Sequence, residues 1–369
     1  MRCDRINFYD QFHCPAGDCH LNCCKGWRVP IDEETLERYK KMPAKQRALA
    51  LSRITKKEDT YVFRFREKGC SYWTKEGLCG FQKEGHMEHM PLVCRVFPRK
   101  QNDYGIFMEE TFYLSCPYAA KLFLQYRKEL ALHPGEGELQ SGAFTTNDDL
   151  DFLRELQRIR GELLQFIEDS SHLEDAYGRM LEWANRTQNA CIRAQSIPSI
   201  FDINAQKLDI DGLMTDRMIT GGFYHTRLKK NSPGLYALLD RYFKEMNDLT
   251  IEEAGKRQSD IKRVFYEANV EYCDLAKRYY QYYLLSSFLE VYDTYCFHRV
   301  LAEGIIHTHL LELFLGIRCL EKYDEKREYV LMEDEIADVI ALYERRGRHN
   351  PPILDNNYQI LYEATSKKA

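Results

Sequence analysis

The sequence lacks any run of eighteen consecutive apolar residues, so no membrane-spanning helix is expected. Its first residues, Met-Arg-Cys-Asp-Arg-Ile-Asn-Phe-Tyr-Asp, hold no apolar stretch of signal-peptide length, so the chain is expected to stay cytoplasmic. A basic excess is also missing. The net charge of the 369 residues is −5, which gives no global footprint for nucleic acid. There is no internal repeat and no low-complexity run. Apolar residues make up 44% and charged residues 30%, an ordinary balance for a folded protein.

What the sequence has in excess is cysteine, and in one place. Nine of the 13 cysteines fall in the first 116 residues. Cys14, Cys19, Cys23 and Cys24 form a C-x4-C-x3-C-C set, and Cys70, Cys79, Cys94 and Cys116 follow as C-x8-C-x14-C-x21-C. In a reducing cytosol such crowding reads as metal binding or catalysis rather than a disulfide framework. A chain of this length also buries a core without covalent staples. Neither set has the paired C-x2-C knuckles of a zinc ribbon. Adjacent Cys23 and Cys24 can hardly both grip one small ion in good tetrahedral geometry; they either bind different irons of one cluster or one of them serves another role. Soft thiolates suit zinc and iron–sulfur clusters alike. The spacing and the large glycine-containing loop favour a 4Fe–4S cluster, with zinc as the alternative. The C-x3-C-x2-C run of radical chemistry is absent, because Gly26 stands three residues after Cys23.

Residues beside the cysteines have two readings each. Arg95 and Arg99 either screen a negative thiolate cluster, as cofactor-binding residues, or pair with surface acids. Trp27 either shields a cluster or fills a core. His13, His20, His86 and His89 are near enough in sequence to be ligands, although most isolated histidines are not.

The patterning predicts a mainly α chain with a cysteine-rich α+β part first. Asp32 is a candidate N-cap for a helix to about Lys41, and 44–54 reads as a second short helix. Tyr61–Phe65 alternates as a strand, 69–99 is mostly loop, and 104–115 reads as a strand or small hairpin. Cys116-Pro117 starts a helix. His133-Pro134-Gly135 opens the expected linker. We therefore expect a cysteine-rich domain over 1–132, a linker over 133–147 and an all-α domain over 148–369. Expected helices there are 147–166 (with Asn147 as cap), 173–190, 234–247, about 258–289, 295–321, 332–346 and 354–364.

The residues Phe12-His13-Cys14, Cys19, Cys23-Cys24-Lys25-Gly26-Trp27 and Ile31-Asp32 carry a resemblance. So do Gly69-Cys70, Gly77-Leu78-Cys79, Cys94-Arg95-Val96-Phe97-Pro98-Arg99 and Leu114-Ser115-Cys116-Pro117. Together they resemble the flagellin lysine N-methylase (FliB, lysine-N-methylase) family. Arg278 to Leu285 is loosely similar to a later helical block of that family, which often carries an Asn where Gln281 or a neighbour stands here. The resemblance implies a protein-lysine N-methyltransferase with flagellin as protein substrate. It also implies S-adenosylmethionine as methyl donor and an iron–sulfur cluster on the N-terminal cysteines. Related cysteine-rich proteins share the C-C signature as iron- or zinc-chelating proteins only. A non-catalytic iron–sulfur or zinc protein, structural or electron-carrying, is thus the second reading.

Methyl transfer to lysine needs a deprotonated amine held near a sulfonium, and aromatic faces and carboxylates serve that purpose. The tyrosine-rich stretch 272–295 offers Tyr279, Tyr283 and Glu290 as candidate catalytic residues. The same stripe also reads as a helix packing aromatics into a core. No Rossmann-type donor site is expected. Gly135 and Gly137 give a G-x-G, but Gln140 takes the third glycine position.

Overall fold

The structure is a computed structural model that describes residues 2–25, 28–66, 69–136, 147–192, 196–214, 232–348 and 351–366. The chain begins with strand β1 (Arg2–Ile6). It continues through α1 (Glu33–Lys41), α2 (Ala44–Ser52), the hairpin β2 (Ile54–Lys57) and β3 (Thr60–Phe63), and the short pair β4 (Phe65–Arg66) and β5 (Gly69–Cys70). Two short helices follow, α3 (Gly80–Lys83) and α4 (Leu92–Val96). Then come β6 (Arg99–Asp103), β7 (Phe107–Phe112), α5 (Pro117–Gln125) and β8 (Leu132–Glu136). The Asp32 side chain caps α1 by accepting from the Thr35 amide at 2.8 Å. Its other oxygen accepts from the Leu92 amide at 2.8 Å, so one carboxylate ties the starts of α1 and α4 together.

Strands β6, β7, β1 and β8 form one sheet in that order. β1 runs parallel to β7, pairing Arg2 with Phe107 and Arg5 with Glu110, and antiparallel to β8. β7 is buried along its whole length, including Glu109 and Glu110. Strand alternation sends these neighbours to opposite faces. Glu109 takes both Arg160 guanidinium nitrogens at 2.7 Å. Glu110 instead accepts from Arg5, Tyr9 and Gln101.

The helices that follow are α6 (Asn147–Asp169), α7 (Leu173–Ile192), the short α8 (Ile210–Leu213), α9 (Pro233–Met246), α10 (Ile251–Ala268), α11 (Leu275–Ser287), α12 (Phe297–Lys326), α13 (Glu333–Tyr343) and α14 (Pro351–Ser366). α12 is the hub, packing against α7, α9, α10, α11, α13 and α14. It is long and apolar enough to cross a membrane. However, 89% of its most apolar window is buried inside the protein, where the neighbouring helices use its apolar surface.

Buried residues fall into two clusters. The larger runs from Ile6, Phe8 and Phe12 through Phe112, Cys116 and Phe123 to the helices as far as Leu361. The smaller joins Val29, Ile31, Tyr39, Phe63, Cys70, Tyr72, Phe81 and Met90, with Cys24, Cys79 and Cys94 packed against it.

The mainly α fold class and the helical C-terminal region are as the patterning predicts. Two expectations are corrected. The segment expected to begin the linker is strand β8, because the edge of β1 takes His133, Pro134 and Gly135 as partners. A Cβ at Gly135 would sit 3.0 Å from the Cys3 carbonyl oxygen, so glycine admits this close pairing. Residues 137–146, the rest of that expected linker apart from Asn147, lie outside the described residues, as do Gly26 and Trp27. The single helix expected over 258–289 is two. Asn269 ends α10, with its side chain donating to the Phe265 carbonyl and accepting from the Leu331 amide. The stretch 69–99 is mostly loop as expected, with the short α3 and α4 in it, and 104–115 holds the expected strand, β7, whose hairpin partner β6 begins at Arg99.

Candidate functional site

All eight cysteines of the two sets line one cavity of about 400 Å³. Several local devices place them. Cys14 and Cys19 flank a 3-10 turn over Ala16–Asp18. Buried Asn22 shapes the Cys23-Cys24 turn. Its side-chain Oδ1 accepts from the Cys24 amide at 2.8 Å, and its side-chain Nδ2 donates to the Gly77 carbonyl at 3.1 Å. Cys70 ends β5, and its amide donates to the Cys24 carbonyl at 2.9 Å. Cys79 is the N-cap residue of α3, Cys94 lies within α4, and Cys116 is the N-cap residue of α5. The walls between them are largely apolar, with Phe12, Phe63, Phe81, Met90 and Phe97 among them.

Burial pushes the thiols of Cys19 and Cys70 up to about 11 and that of Cys116 to about 12. Burial also raises Cys79 and Cys94. Within the adjacent pair, Cys24 donates to Cys23. That bond draws Cys23 down to about 7, with help from Arg345, and drives Cys24 upward. A metal that binds here would displace protons from thiols otherwise held neutral. The sulfurs are spread out. Among the described residues, the three potential ligands whose atoms lie within 4.8 Å of one another are His86, Glu88 and His89, not cysteines.

Arg345 is the site residue that the sequence reading missed. It sits half-buried in a π-helical turn, Glu344–Arg348, that continues α13. Its guanidinium donates to the Ser115 carbonyl at 2.8 Å and to the Leu21 carbonyl. It faces Cys116, Cys23 and Cys19 across the cavity. The run Glu-Arg-Arg-Gly-Arg at the end of an apolar helix was the available signal, but nothing in the sequence links it to cysteines more than 200 residues away. Arg95 and Arg99 also line the cavity. Arg95 is exposed, whereas Arg99 is half-buried over the rings of Tyr9 and Phe12.

Comparison with known proteins finds lysine-N-methylases of Salmonella typhimurium and Salmonella choleraesuis, each 26% identical over 134 residues. The chain resembles the lysine-N-methylase family. The matched stretch covers 34% of this chain and 33% of those two proteins, so the chain spans about a third of their length. A flagellar biosynthetic protein, FliU of Salmonella muenchen, is 26% identical over 132 residues, covering 34% of this chain and 78% of FliU. No family profile matches the chain, and no solved structure does.

The other candidate residues lie apart from the cavity, except His13. His13 lines it, with Nδ1 3.0 Å from the Gln11 carbonyl. His20 pairs with Asp338 of α13 at 2.7 Å. His86 and His89 both lean on Glu88, at 3.2 and 3.5 Å. Tyr279 and Tyr283 are buried in the larger core, 1% and 3% exposed, and neither lines the cavity. Tyr279 donates to Glu344, while Tyr283 stacks on Tyr280 beneath the Arg348 guanidinium. Glu290 accepts from Lys100 at 2.9 Å. These three belong to one network of Lys100, Glu290, Glu344 and Arg348, buried except at half-exposed Glu290, whose π-turn members also place Arg345.

Proposed function

We propose that the chain is a protein-lysine N-methyltransferase that acts on flagellin, with S-adenosylmethionine as methyl donor and an iron–sulfur cluster on the cavity cysteines. The observation that carries this reading is the gathering of eight thiols from well-separated stretches of chain onto one cavity, in a protein similar to lysine-N-methylases. The donor set fits the group. Thiolates are its usual ligands. A single tetrahedral zinc at about 2.3 Å from each sulfur would hold the sulfurs about 3.8 Å apart. The wider spread of these sulfurs suits a group with several metal atoms.

When bound, an iron–sulfur cluster supplies electrons and a Lewis-acidic iron. The chain's own residues supply the rest. Arg345, half-buried against three of the thiols, offsets thiolate charge and ties the cavity to the helical region. Arg95 and Arg99 bring further positive charge to the rim, suited to an anionic ligand group. The aromatic walls exclude water, which disfavours the ammonium form of an entering lysine and leaves its amine able to attack the donor's methyl group. Among the described lining residues, the histidine is His13.

A second reading, a non-catalytic metal protein, is favoured by one observation: among the described residues, no carboxylate lines the cavity. Co-expression with flagellin followed by intact-mass measurement separates the two. Methyl-sized mass additions that vanish with Cys94→Ser support the enzyme. Unchanged flagellin beside a metal-loaded chain supports the second reading.

A further inference from the structure

The cavity has twice as many thiols as one 4Fe–4S cluster takes, and they are not interchangeable. Cys70 belongs to the smaller core, and Cys24, Cys79 and Cys94 pack against that same core. Cys116 belongs to the larger core. The Arg345 guanidinium, anchored on the carbonyls of Leu21 and Ser115, stands on the larger-core side. Its thiol neighbours are Cys116, Cys23 and Cys19, and Cys19 in turn neighbours Cys14. Cys23 neighbours Cys24, Cys70, Cys79 and Cys94 as well as Cys116, so it stands where the two sides meet, and the facing Arg345 guanidinium assigns it to the larger-core side. The backbone bond from the Cys70 amide to the Cys24 carbonyl fixes Cys24 on the smaller-core side.

We propose that the cavity holds two thiolate-ligated metal centres, one on Cys24, Cys70, Cys79 and Cys94 and the other on Cys14, Cys19, Cys23 and Cys116 beside Arg345. This rests on the reading of the cavity as a metal site, and it goes further in giving each thiol to one of two quartets. The two centres differ in surroundings. The first quartet is seated on a hydrophobic core. The second contains two exposed thiols, Cys14 and Cys23, and faces a cation.

The test uses the full chain, anaerobically reconstituted with ferrous iron and sulfide, and residue-resolved alkylation of its thiols before and after chelator treatment. Cys14 and Cys23 are exposed, so they alkylate readily without metal and are protected on loading if the second centre exists. Cys191 and Cys273, also exposed and outside the cavity, alkylate in both states. In parallel, Cys70→Ser and Cys116→Ser are each expected to retain about half of the wild-type iron, and the double variant none. The alkylation result does not depend on whether a variant folds. Protection of Cys24, Cys70, Cys79 and Cys94 alone, with Cys14 and Cys23 still reactive, overturns the two-centre assignment and leaves the metal reading standing. So does loss of all iron from either folded single variant. A chain that takes up no iron overturns both.

Discussion

Replacing Glu109 by glutamine should cost the fold about 3–5 kcal/mol, the usual penalty for removing one partner of a buried ion pair. Glu109 is 1% exposed and Arg160 is 7% exposed, so neither reaches water. The carboxylate takes two guanidinium nitrogens at 2.7 Å each, in the bidentate geometry that charged pairs favour. The remaining acceptor near Arg160 is the Leu285 carbonyl at 3.3 Å, which cannot replace a carboxylate. The substituted amide would keep the shape and one acceptor but leave a buried guanidinium without its counter-charge. Replacing both residues with apolar ones of similar volume (Glu109→Leu with Arg160→Met) removes that stranded charge. The double variant should therefore be less destabilised than the sum of the single variants, by at least about 1.5 kcal/mol. Urea denaturation of the metal-free chain, followed by helical circular dichroism, measures all four corners of the cycle. A cost below about 1 kcal/mol for Glu109→Gln, or additive single and double variants, would refute the argument. It would mean that Arg160 finds water, and that this pair does not hold the sheet to α6.

Other outcomes follow from single positions. His298 and His309 are 2% and 1% exposed, and burial holds them down to about 4 and about 3. The unfolded chain protonates both near 6.5 while the folded chain does not. Stability should therefore fall as pH drops from about 6.5 toward 4, by up to about 1.4 kcal/mol per pH unit for each histidine. His298→Gln should remove one histidine's share of that slope, as read from urea midpoints between about pH 7 and about pH 4.5. Gly316→Ala should destabilise by about 1–3 kcal/mol or more. Its Cβ would lie 2.2 Å from the Ile261 carbonyl oxygen, where α10 and α12 cross. Gly161→Ala, with nothing within 4 Å of the new methyl, should instead stabilise α6 by up to about 1 kcal/mol in the same assay. If the cavity holds the proposed cluster, Arg345→Met should speed loss of its iron to a chelator by about 10- to 100-fold, the usual scale for outer partners of metal ligands. An unchanged rate would show that Arg345 does not stabilise the thiolates.

Much of the fold was legible where local chemistry decides it. Asp32 ends one segment and caps the next helix, Pro117 sits where a missing amide costs nothing, and the spacing of Leu153, Leu156, Ile159 and Leu163 marks one buried helical face. What was hidden depends on partners far away. β1 is short and mostly polar, and it becomes a strand because β7 and β8 lie on either side of it. Asn269 stops a helix because the Leu331 amide needs its oxygen. The cysteine spacing pointed to a shared site, and the structure gathers all eight around one cavity. Spacing alone could not name Arg345, nor tell which thiols share a core. The tyrosine stripe offered catalysis and packing as rivals. In the structure the packing is plain. Gly304 leaves the space for Tyr283 and Tyr280, whose rings would lie 2.5 and 2.6 Å from any Cβ there.

The parallel pairing of β1 with β7 also sets an order of assembly. Arg2–Ile6 must wait for residues 107–112 and 132–136, a loop closure across about a hundred residues or more. Until then Cys14, Cys19, Cys23 and Cys24 hang on an untethered segment, with Cys116 and Arg345 still apart from them. During synthesis these thiols therefore meet solvent before their cavity exists. Any delivery of metal to the Arg345 side must follow the arrival of the turn Glu344–Arg348, long after the last of the eight cysteines has been made.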